Sequence, residues 1–293
     1  MLRNDEYHSP GTVFLTDNGS LRPAATLRLR RLAAALSRTT GRRVEPVSLL
    51  HSHKVPAEYL EGRPAEILEP ALRERAKRGE RNFLVTPLFF GLSRALTDYL
   101  PKRVAHLRNE FGELNVDVAP PLVDPEPPED LRVARILIDG VLAVRETGER
   151  QAVILVDHGS PEPKVTAVRN LVASRLREGL GNRVERVEAA SMERREGPEY
   201  AFNEPLLENL LGRPGFDRGR VIVAMMFLLP GRHAGPDGDV ARICRRAEAA
   251  HPGLETVMTS LVGEHEGLLE ILADRVRSPD REPPREPARR FIV

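Results

Sequence analysis

An internal repeat constrains the fold of this chain more than any other feature of its sequence. At an offset of 140 residues, TVFLTDNGSLRPAATLRLRRLAAALSRTTGRRVEPV from Thr12 pairs without a gap with AVILVDHGSPEPKVTAVRNLVASRLREGLGNRVERV from Ala152. About fourteen of these positions are identical, far more than unrelated segments share, so the chain contains a duplication. Whatever structure one half adopts, the other half is expected to adopt as well.

The repeat opens with the pattern of a buried strand that leads into a helix. Residues 152–156 are an uninterrupted, largely β-branched apolar run, which is typical of strands buried on both faces in parallel sheets. Gly159 ends this run. Ser160, Pro161 and Glu162 then predict a helix start, because they supply a capping hydroxyl, a proline and an acid near the positive end of the helix dipole. We expect an apolar helix over residues 165–176.

The same correspondence continues along both halves. Second strands are predicted at residues 44–49 and 184–189. Third strands begin NFLVTP from Asn82 and RVIVAMM from Arg220, and each runs into a loop that contains glycine. Fourth strands are predicted at 116–119 and 256–261, and amphipathic helices at 130–145 and 268–276 close the two halves.

These elements predict an α/β fold of two duplicated domains, each a four-stranded parallel sheet with helices on both faces, that face each other across a central cleft. We place the N-terminal domain at residues 1–147 and the C-terminal domain at 148–277. The proline-rich, charged residues 278–293 predict a disordered tail. Because the two fused halves already pair with each other, we expect a monomer.

The two copies differ at the positions where chemistry is expected. Asn18 stands where the second copy has His158, and Ser93 stands where it has His233. Both positions follow strands of one parallel sheet, whose carboxyl ends meet at the same edge. We therefore expect His158 and His233 to approach each other within reach of a single metal ion, with the upstream half serving as a wall of the cleft.

Composition excludes several other classes of function. Basic and acidic residues number 44 and 43, so the overall charge does not indicate binding to nucleic acid or to an anionic membrane. No stretch reaches the roughly 18 apolar residues of a membrane span, and the opening MLRNDEYHSPG lacks a signal-peptide core; we expect a cytoplasmic protein. The single cysteine, Cys244, excludes an intramolecular disulfide and is interpreted as a packed thiol.

Paired histidines at such an edge suit metal chemistry. Neutral imidazole is a good ligand for divalent iron, cobalt and nickel, and two imidazoles with an optional carboxylate leave coordination positions open. Imidazole also accepts and donates protons near pH 7. The pair is therefore suited to a reaction that both binds a divalent ion and moves protons.

The sequence resembles the sirohydrochlorin chelatases of the CbiX and SirB type. The resemblance rests on HGS after the first strand of the second half and on FLLPGRH after its third strand, with LVGEH at residues 261–265 as a further similarity. It implies insertion of Co(II) or Fe(II) into sirohydrochlorin, a lyase reaction of cobalamin or sirohaem biosynthesis, with no organic cofactor and the metal ion as a substrate. The chain departs from the family in carrying the histidine pair in its second half.

The resemblance and the chemistry together nominate a set of site residues. His158 and His233 are the candidate catalytic residues and, with Glu193, the candidate metal ligands. The candidate substrate-binding residues for the carboxylates of the macrocycle are Ser160, Arg232, Arg194 and Arg94.

Less specific interpretations stay open for several polar residues. Glu193 is equally typical of a solvated loop acid, and His265 of a brace at the start of the last helix. His51 and His53 are interpreted as facing solvent. Asp157 has a counterpart, Asp17, in the copy that lacks the histidine, which favours a role in the turn rather than in the reaction.

Two other classes of function were weighed against the chelatase. A non-catalytic carrier of tetrapyrrole or metal would use the same cleft and would bind its ligand without turnover. A serine hydrolase built on His158 and Ser160 is rejected, because the sequence lacks the G-x-S-x-G elbow. The sequence does not distinguish cobalt from iron or nickel, nor the sirohaem route from the cobalamin route.

Overall fold

The computed structural model of the protein describes residues 11–125 and 130–277. The predicted tail at 278–293 and the opening segment at 1–10 lie outside the described residues. Within the described ranges, no helix combines the length and the apolar composition that a membrane crossing requires.

The two halves follow the same order of strands and helices. The first half contains β1 (Thr12–Asp17), α1 (Pro23–Thr40), β2 (Val44–Ser48), α2 (Leu68–Lys77), β3 (Asn82–Pro87), α3 (Leu100–Phe111), β4 (Asn115–Val118) and α4 (Arg132–Val144). The second half contains β5 (Ala152–Asp157), α5 (Pro163–Leu180), β6 (Arg186–Ser191), α6 (Leu207–Leu210), β7 (Gly219–Met225), α7 (Asp239–Ala250), β8 (Leu254–Met258) and α8 (Gly267–Arg277).

The strands form two four-stranded sheets in which every neighbouring pair is parallel. The strand orders are β2-β1-β3-β4 and β6-β5-β7-β8, so the predicted α/β architecture with two duplicated parallel sheets is confirmed. All six residues of β1 and all six of β5 are buried. Their uninterrupted apolar character follows from this position, because a central parallel strand has both faces covered.

Side chains that alternate along the central strands enter different cores. Val13 and Leu15 of β1 face a core that also contains Val153 and Leu155 of β5, whereas Phe14 faces a separate core on the outer side of the first sheet. The inner faces of both sheets therefore contribute to one continuous apolar cluster. The outer face of the second sheet has a third cluster, in which Cys244 is 3% exposed. Burial raises the pKa of this thiol to about 11.

The last helix of each half packs against the other half. Helix α4 lies against α5 and β7, and α8 lies against α1 and β3. The apolar stripe of α4, which includes Ile136, Leu137 and Val141, is buried in the shared core. The proposed division at residue 147 follows α4 in the chain and stays a prediction. In space, the two halves are joined by these exchanged helices.

A buried arginine ties α8 to the first half. Arg275 is 4% exposed. Its guanidinium donates to the carbonyl oxygens of Pro121, at 3.1 Å, and Leu122, at 3.4 Å, and to the Asp130 carboxylate at 2.9 Å. Burial alone would raise the pKa of Asp130, but hydrogen bonds and charge from Arg132 and Arg275 hold that pKa below its usual range. This carboxylate is therefore ionised at neutral pH.

The offset of 140 residues between the two copies does not hold at the second strands. Asp17 pairs with Ser48 and Asp157 with Ser191, so β6 reaches its place in the sheet three residues later than an offset of 140 predicts. A short 3-10 turn, Gly181–Arg183, takes up the additional residues after α5. The prediction of a strand at 184–189 was consequently placed two residues too early.

The contacts of Arg275 predict a specific loss of stability. Replacement by methionine, which has a similar length, leaves the buried carbonyls of Pro121 and Leu122 without this donor and removes one of the two cations that bond Asp130, so it should reduce the free energy of unfolding by about 3 kcal/mol. Arg277→Met is the matched control: this arginine also bonds across the halves, to the Thr39 carbonyl, but its side chain is 54% exposed. We expect a change within about 0.5 kcal/mol for the control. Urea unfolding measures both, and equal losses would contradict the assignment.

Candidate functional site

The loop that follows β5 is held tightly against the end of β6. Gly159 has a φ of 91°, and a Cβ atom there would lie 1.9 Å from the Glu193 carbonyl oxygen. Only glycine can adopt this conformation at this separation. The close approach brings His158 beside the segment that carries Glu193.

Asp157 serves this loop, as its occurrence in both copies suggested. Its carboxylate accepts hydrogen bonds from the Ser191 hydroxyl at 2.7 Å and from the Gly159 amide at 3.1 Å, and the Arg169 guanidinium lies 3.9 Å away. Burial raises the pKa of Asp157, while Ser191, Arg169 and His158 act in the opposite direction. Asp157 is 7% exposed and is occupied by these contacts. Its contacts are structural.

Two further residues, Arg169 and Asn203, hold the loop after β5 in place, and neither was among the site residues expected from the sequence. Arg169 is 2% exposed and donates to the Ser191 hydroxyl and, at 2.9 Å, to the Asn203 carbonyl. The Asn203 side chain accepts from the Ser160 amide at 2.9 Å and donates to the Ser160 carbonyl at 2.8 Å. A signal for Arg169 was present, because a charged residue interrupts the apolar stripe of α5 where the first copy has Leu29.

Ser160 does not cap the helix in the predicted way. Helix α5 begins at Pro163, its N-cap residue is Glu162, and no side chain bonds the first-turn amides. The Ser160 hydroxyl accepts instead from the Glu162 amide at 3.0 Å. The helix starts later because two prolines, Pro161 and Pro163, flank Glu162, and only the second occupies the first turn.

His233 is oriented by an acid at the start of α7. Its Nδ1 lies 2.6 Å from the Asp239 carboxylate. Burial alone would raise the pKa of Asp239, but hydrogen bonds from Arg242 and His233 lower it below its ordinary value. Asp239 is therefore an anion that accepts a hydrogen bond from Nδ1–H. Sequence reasoning missed Asp239, although an aspartate opening a helix shortly after a loop histidine is a usable signal.

The two histidines meet at the mouth of the second sheet. Their ring centroids are 4.6 Å apart and the rings stand nearly perpendicular, at 77°. The Nδ1 of His158 lies 3.0 Å from the Gly159 carbonyl oxygen, which can only accept. In both neutral imidazoles the hydrogen therefore resides on Nδ1, and the lone pair of Nε2 is available to a ligand.

Glu193 lies beside this pair without closing it into a cage. Its carboxylate is 3.4 Å from Nε2 of His158, and the two side chains are 58% and 48% exposed. Among the described residues, no three histidine, cysteine, aspartate or glutamate side chains are arranged to hold a metal ion. The histidine pair thus offers two nitrogen ligands and an open coordination sphere.

A cleft of about 470 Å³ runs from the histidines to the first half. Its walls include His158 and His233 on one side and Asn18, Gly91 and Ser93 on the other. Asn18 and Ser93, which occupy the positions of the two histidines in the first copy, therefore lie on the opposite wall, as the repeat predicts. This wall carries no imidazole.

The three nominated arginines occupy different environments. Arg232 lines the cleft, is 73% exposed and lies 3.6 Å from Asp239. Arg194 does not line the cleft; it bonds the Glu204 carboxylate at 2.8 Å and two backbone carbonyls in a neighbouring groove. Arg94 is exposed and also lies outside the cleft lining. Of the three, only Arg232 is brought to the histidines.

The other histidines that the sequence analysis discussed, His51, His53 and His265, do not line the cleft. His51 and His53 are exposed, in agreement with the interpretation that they face solvent. His265 accepts a hydrogen bond from the amide of Gly267, the first residue of α8, at 3.1 Å, and lies 3.7 Å from Asp139. It braces the start of the last helix.

Asp17 has no cation to match the one beside Asp157. Leu29 stands at the place of Arg169, and one carboxylate oxygen of Asp17 has no hydrogen-bond partner among the described residues. Burial raises the pKa of Asp17 to about 6, although hydrogen bonds from Ser48 and the Gly19 amide lower it. The first copy thus has the turn aspartate but not the buried arginine that accompanies it in the second copy.

A family model and several solved structures resemble this chain. The family model of CbiX matches residues 152–278, and no curated protein sequence matches the chain. The structure of SirB from Bacillus subtilis with Fe3+ is 14% identical, with a TM-score of 0.69 over 92% of this chain and 95% of that one. The sirohydrochlorin chelatase SirB from Bacillus subtilis subspecies spizizenii in complex with cobalt, also 14% identical, gives 0.65 over the same shares.

A third structure extends this likeness. CbiX, described as the terminal enzyme for biosynthesis of siroheme in denitrifying bacteria, is 15% identical, with a TM-score of 0.55 over 92% of this chain and 98% of that one. The likeness shows that both halves of the chain together have the chelatase fold. The expected resemblance to the CbiX and SirB type is confirmed.

The unsupported carboxyl of Asp17 predicts an unusual pH dependence of stability. Its folded pKa, about 6, exceeds the ordinary value of 3.8, so the neutral form stabilises the fold below about pH 4 and this contribution is lost as the pH rises through 6. Asp17→Asn should therefore be more stable than the parent above pH 7, by about 2 to 3 kcal/mol, and equally stable at pH 4. Urea unfolding across this range measures the difference.

The exposed Asp117 on β4 provides the control for this experiment. Asp117→Asn should leave the pH profile of the parent unchanged. Parallel pH profiles for the parent and Asp17→Asn would contradict the buried, uncompensated state of Asp17.

Proposed function

We propose that this chain, whose C-terminal half belongs to the CbiX family, is a sirohydrochlorin chelatase that inserts a divalent cobalt or iron ion into the macrocycle. The observation that carries the proposal is the perpendicular pair of His158 and His233, with both Nε2 lone pairs available at a cleft between two halves. The proposed setting is cobalamin or sirohaem biosynthesis in the cytoplasm, in a monomer. No organic cofactor is required by this chemistry.

The metal ion is a substrate that must be bound and then released. Two imidazoles provide borderline ligands suited to iron and cobalt, while the remaining positions stay open for water and for the ring nitrogens. Glu193 is the candidate third ligand, because its carboxylate already lies 3.4 Å from His158. An incomplete ligand set favours transfer to the macrocycle, which supplies four nitrogens.

The same imidazoles are suited to the proton transfers. As the ion passes to the ring, two pyrrole N–H protons must leave, and the vacated Nε2 atoms are bases that can accept them. Protonation of His233 would be stabilised by the Asp239 carboxylate, at 2.6 Å from its Nδ1. His158 has only the neutral Gly159 carbonyl at that place, so the two imidazoles have different partners at Nδ1.

The macrocycle's carboxylates require cations at the rim. Arg232 meets this requirement best, because it lines the cleft and is largely exposed. Ser160 contributes by holding the histidine loop through Asn203 rather than through a free hydroxyl. Arg194 and Arg94 would contact the substrate only where it extends beyond the cleft walls.

The open ligand set also weighs against the carrier. A protein that stores a metal ion gains from a closed set of three or four ligands, and the described residues offer no such cluster. Turnover is the feature that distinguishes the two functions.

Substitution of the histidines tests the proposal directly. His158→Ala and His233→Ala should each reduce the rate of metal insertion by a factor of about 100 to 10,000, because each removes a ligand and a base. The assay is anaerobic incubation of the purified protein with sirohydrochlorin and Co(II) or Fe(II), followed by absorbance. Thermal melts should show that both variants fold, since neither side chain is in the core.

The first half provides the matched controls. Asn18→Ala and Ser93→Ala change the equivalent positions and should leave the rate within a few-fold of the parent. Loss of activity in these variants, with retention in the histidine variants, would place the reaction in the first half. Stoichiometric binding of sirohydrochlorin without turnover by the parent would establish the carrier instead.

The hydrogen bond between Asp239 and His233 gives a second test. Asp239→Asn removes the anion that holds the hydrogen on Nδ1, so Nε2 should carry it more often and the affinity for Co(II) should decrease by a factor of about 10 to 100. Asp237→Asn, an exposed neighbour in the same loop, is the control and should bind like the parent. Nitrogen-15 NMR of the imidazoles reports the tautomer. An unchanged tautomer and affinity would refute the role of Asp239.

A further inference from the structure

A second cavity of about 600 Å³ lies beside the histidine cleft. One wall is the segment at residues 118–125, which follows β4 in the first half. The other wall is a face of α5 in the second half, formed by Ala167, Val168 and Leu171. Prolines and aliphatic side chains dominate both walls, so the cavity is suited to a flat apolar group.

The cavity and the cleft are separated by the width of one residue. Gly91 lines both of them. A Cβ atom at Gly91 would lie 2.8 Å from Val168, so a side chain there would be forced against α5. One turn earlier on α5, Val165 lines the cleft itself. A molecule held at the histidines thus reaches the cavity across a glycine.

The equivalent place in the other half of the repeat is filled, so this cavity breaks the symmetry between the two halves. In the first copy, Ala25 of α1 lines the cleft at the position that Val165 of α5 has in the second copy. One turn further along each helix, α1 has Arg28 where α5 has Val168. Arg28 donates to the Gly263 carbonyl at 3.1 and 2.5 Å, and Gly263 stands at the position of Val123. The counterpart space is therefore spanned by a guanidinium. The second copy of the helix has a short apolar side chain instead.

Two charged residues, Lys164 and Asp124, also line the cavity. Lys164, on the first turn of α5, is exposed and forms no ion pair with any residue in the described ranges. Asp124 belongs to the other wall, near the end of the 118–125 segment. An occupant that is apolar and carries an acidic group suits the apolar walls and the ammonium when its acid lies on the Lys164 side, because opposite charges attract and like charges repel.

We propose that this cavity binds one carboxylate-bearing edge of the macrocycle while its metal-accepting centre lies at His158 and His233. The inference rests on the proposed function and extends it by assigning a recognition site. Lys164 pairs with a peripheral carboxylate, and α5 and the 118–125 segment enclose the ring edge. Since Arg28 closes the counterpart space, the macrocycle extends towards one side of the cleft only.

Filling the cavity tests this assignment. Ala167 is exposed, so Ala167→Phe should fold and should place an aromatic ring in the cavity. We expect its Kd for metal-free sirohydrochlorin, followed by absorbance, to rise about tenfold or more. In insertion assays KM should rise while kcat stays near that of the parent, and Co(II) binding should be unchanged. Leu27→Phe is the matched control at the counterpart position and should behave like the parent.

A lysine variant and a dye-binding measurement distinguish failure of this inference from failure of the proposed function. Lys164→Gln should weaken macrocycle binding by a few-fold and reduce its dependence on salt. Anilinonaphthalene sulfonate, a flat apolar anion, should fluoresce with the parent and with Leu27→Phe, but much less with Ala167→Phe. Unchanged Kd and KM in Ala167→Phe, with the parent active, would overturn this inference alone. A parent that binds the dye but neither binds nor metallates sirohydrochlorin would overturn the proposed function.

Discussion

The need to cover both faces of two parallel sheets governs this structure. Strands β1 and β5 are buried along their whole length, and neither half covers the inner face of its sheet with its own helices alone. The final helix of each half supplies the missing cover for the other half. This exchange sets the two sheets beside each other in a fixed orientation, and the carboxyl ends of their central strands consequently open into the same cleft.

Much of this arrangement could be predicted from the repeat. In both copies an apolar run is followed by Asp, then by Asn or His, and then by Gly and Ser. This pattern specifies a buried strand and the turn after it, and its recurrence specifies the second sheet. Pairing of His158 with His233 followed from the rule that neighbouring parallel strands end at one edge. The structure places the two rings in contact.

Other features could not be predicted from local patterns. The later start of β6 depends on how the chain leaves α5 through Gly181–Arg183, which a fixed offset ignores. The exchange of α4 and α8 leaves no trace in their amphipathic patterns, because an apolar stripe does not specify which surface covers it. Asn203 reaches the site from an element distant in sequence. Arg194 carries the expected charge but is held by Glu204.

The divergence of the two copies has a physical logic. The second half retains a buried guanidinium, Arg169, that supports Asp157 and the loop carrying His158. The first half has Leu29 in that place, and Asp17 remains as a buried acid without a cation. The first half thus lacks both the histidine and the buried cation, and it contributes Asn18, Gly91 and Ser93 to the wall of the cleft.

The exchanged helices also determine how a molecule can enter. Proteins of two lobes often close on their ligands by rotation about a hinge, which requires an interface that can part. Here α4 and α8 are built into the core of the opposite lobe, so a rotation that widened the cleft would pull apart a continuous apolar cluster. A flat ring bound as we propose would therefore enter this cleft edge first and leave by the same mouth, and discrimination among rings would depend on their thickness and outline rather than on closure.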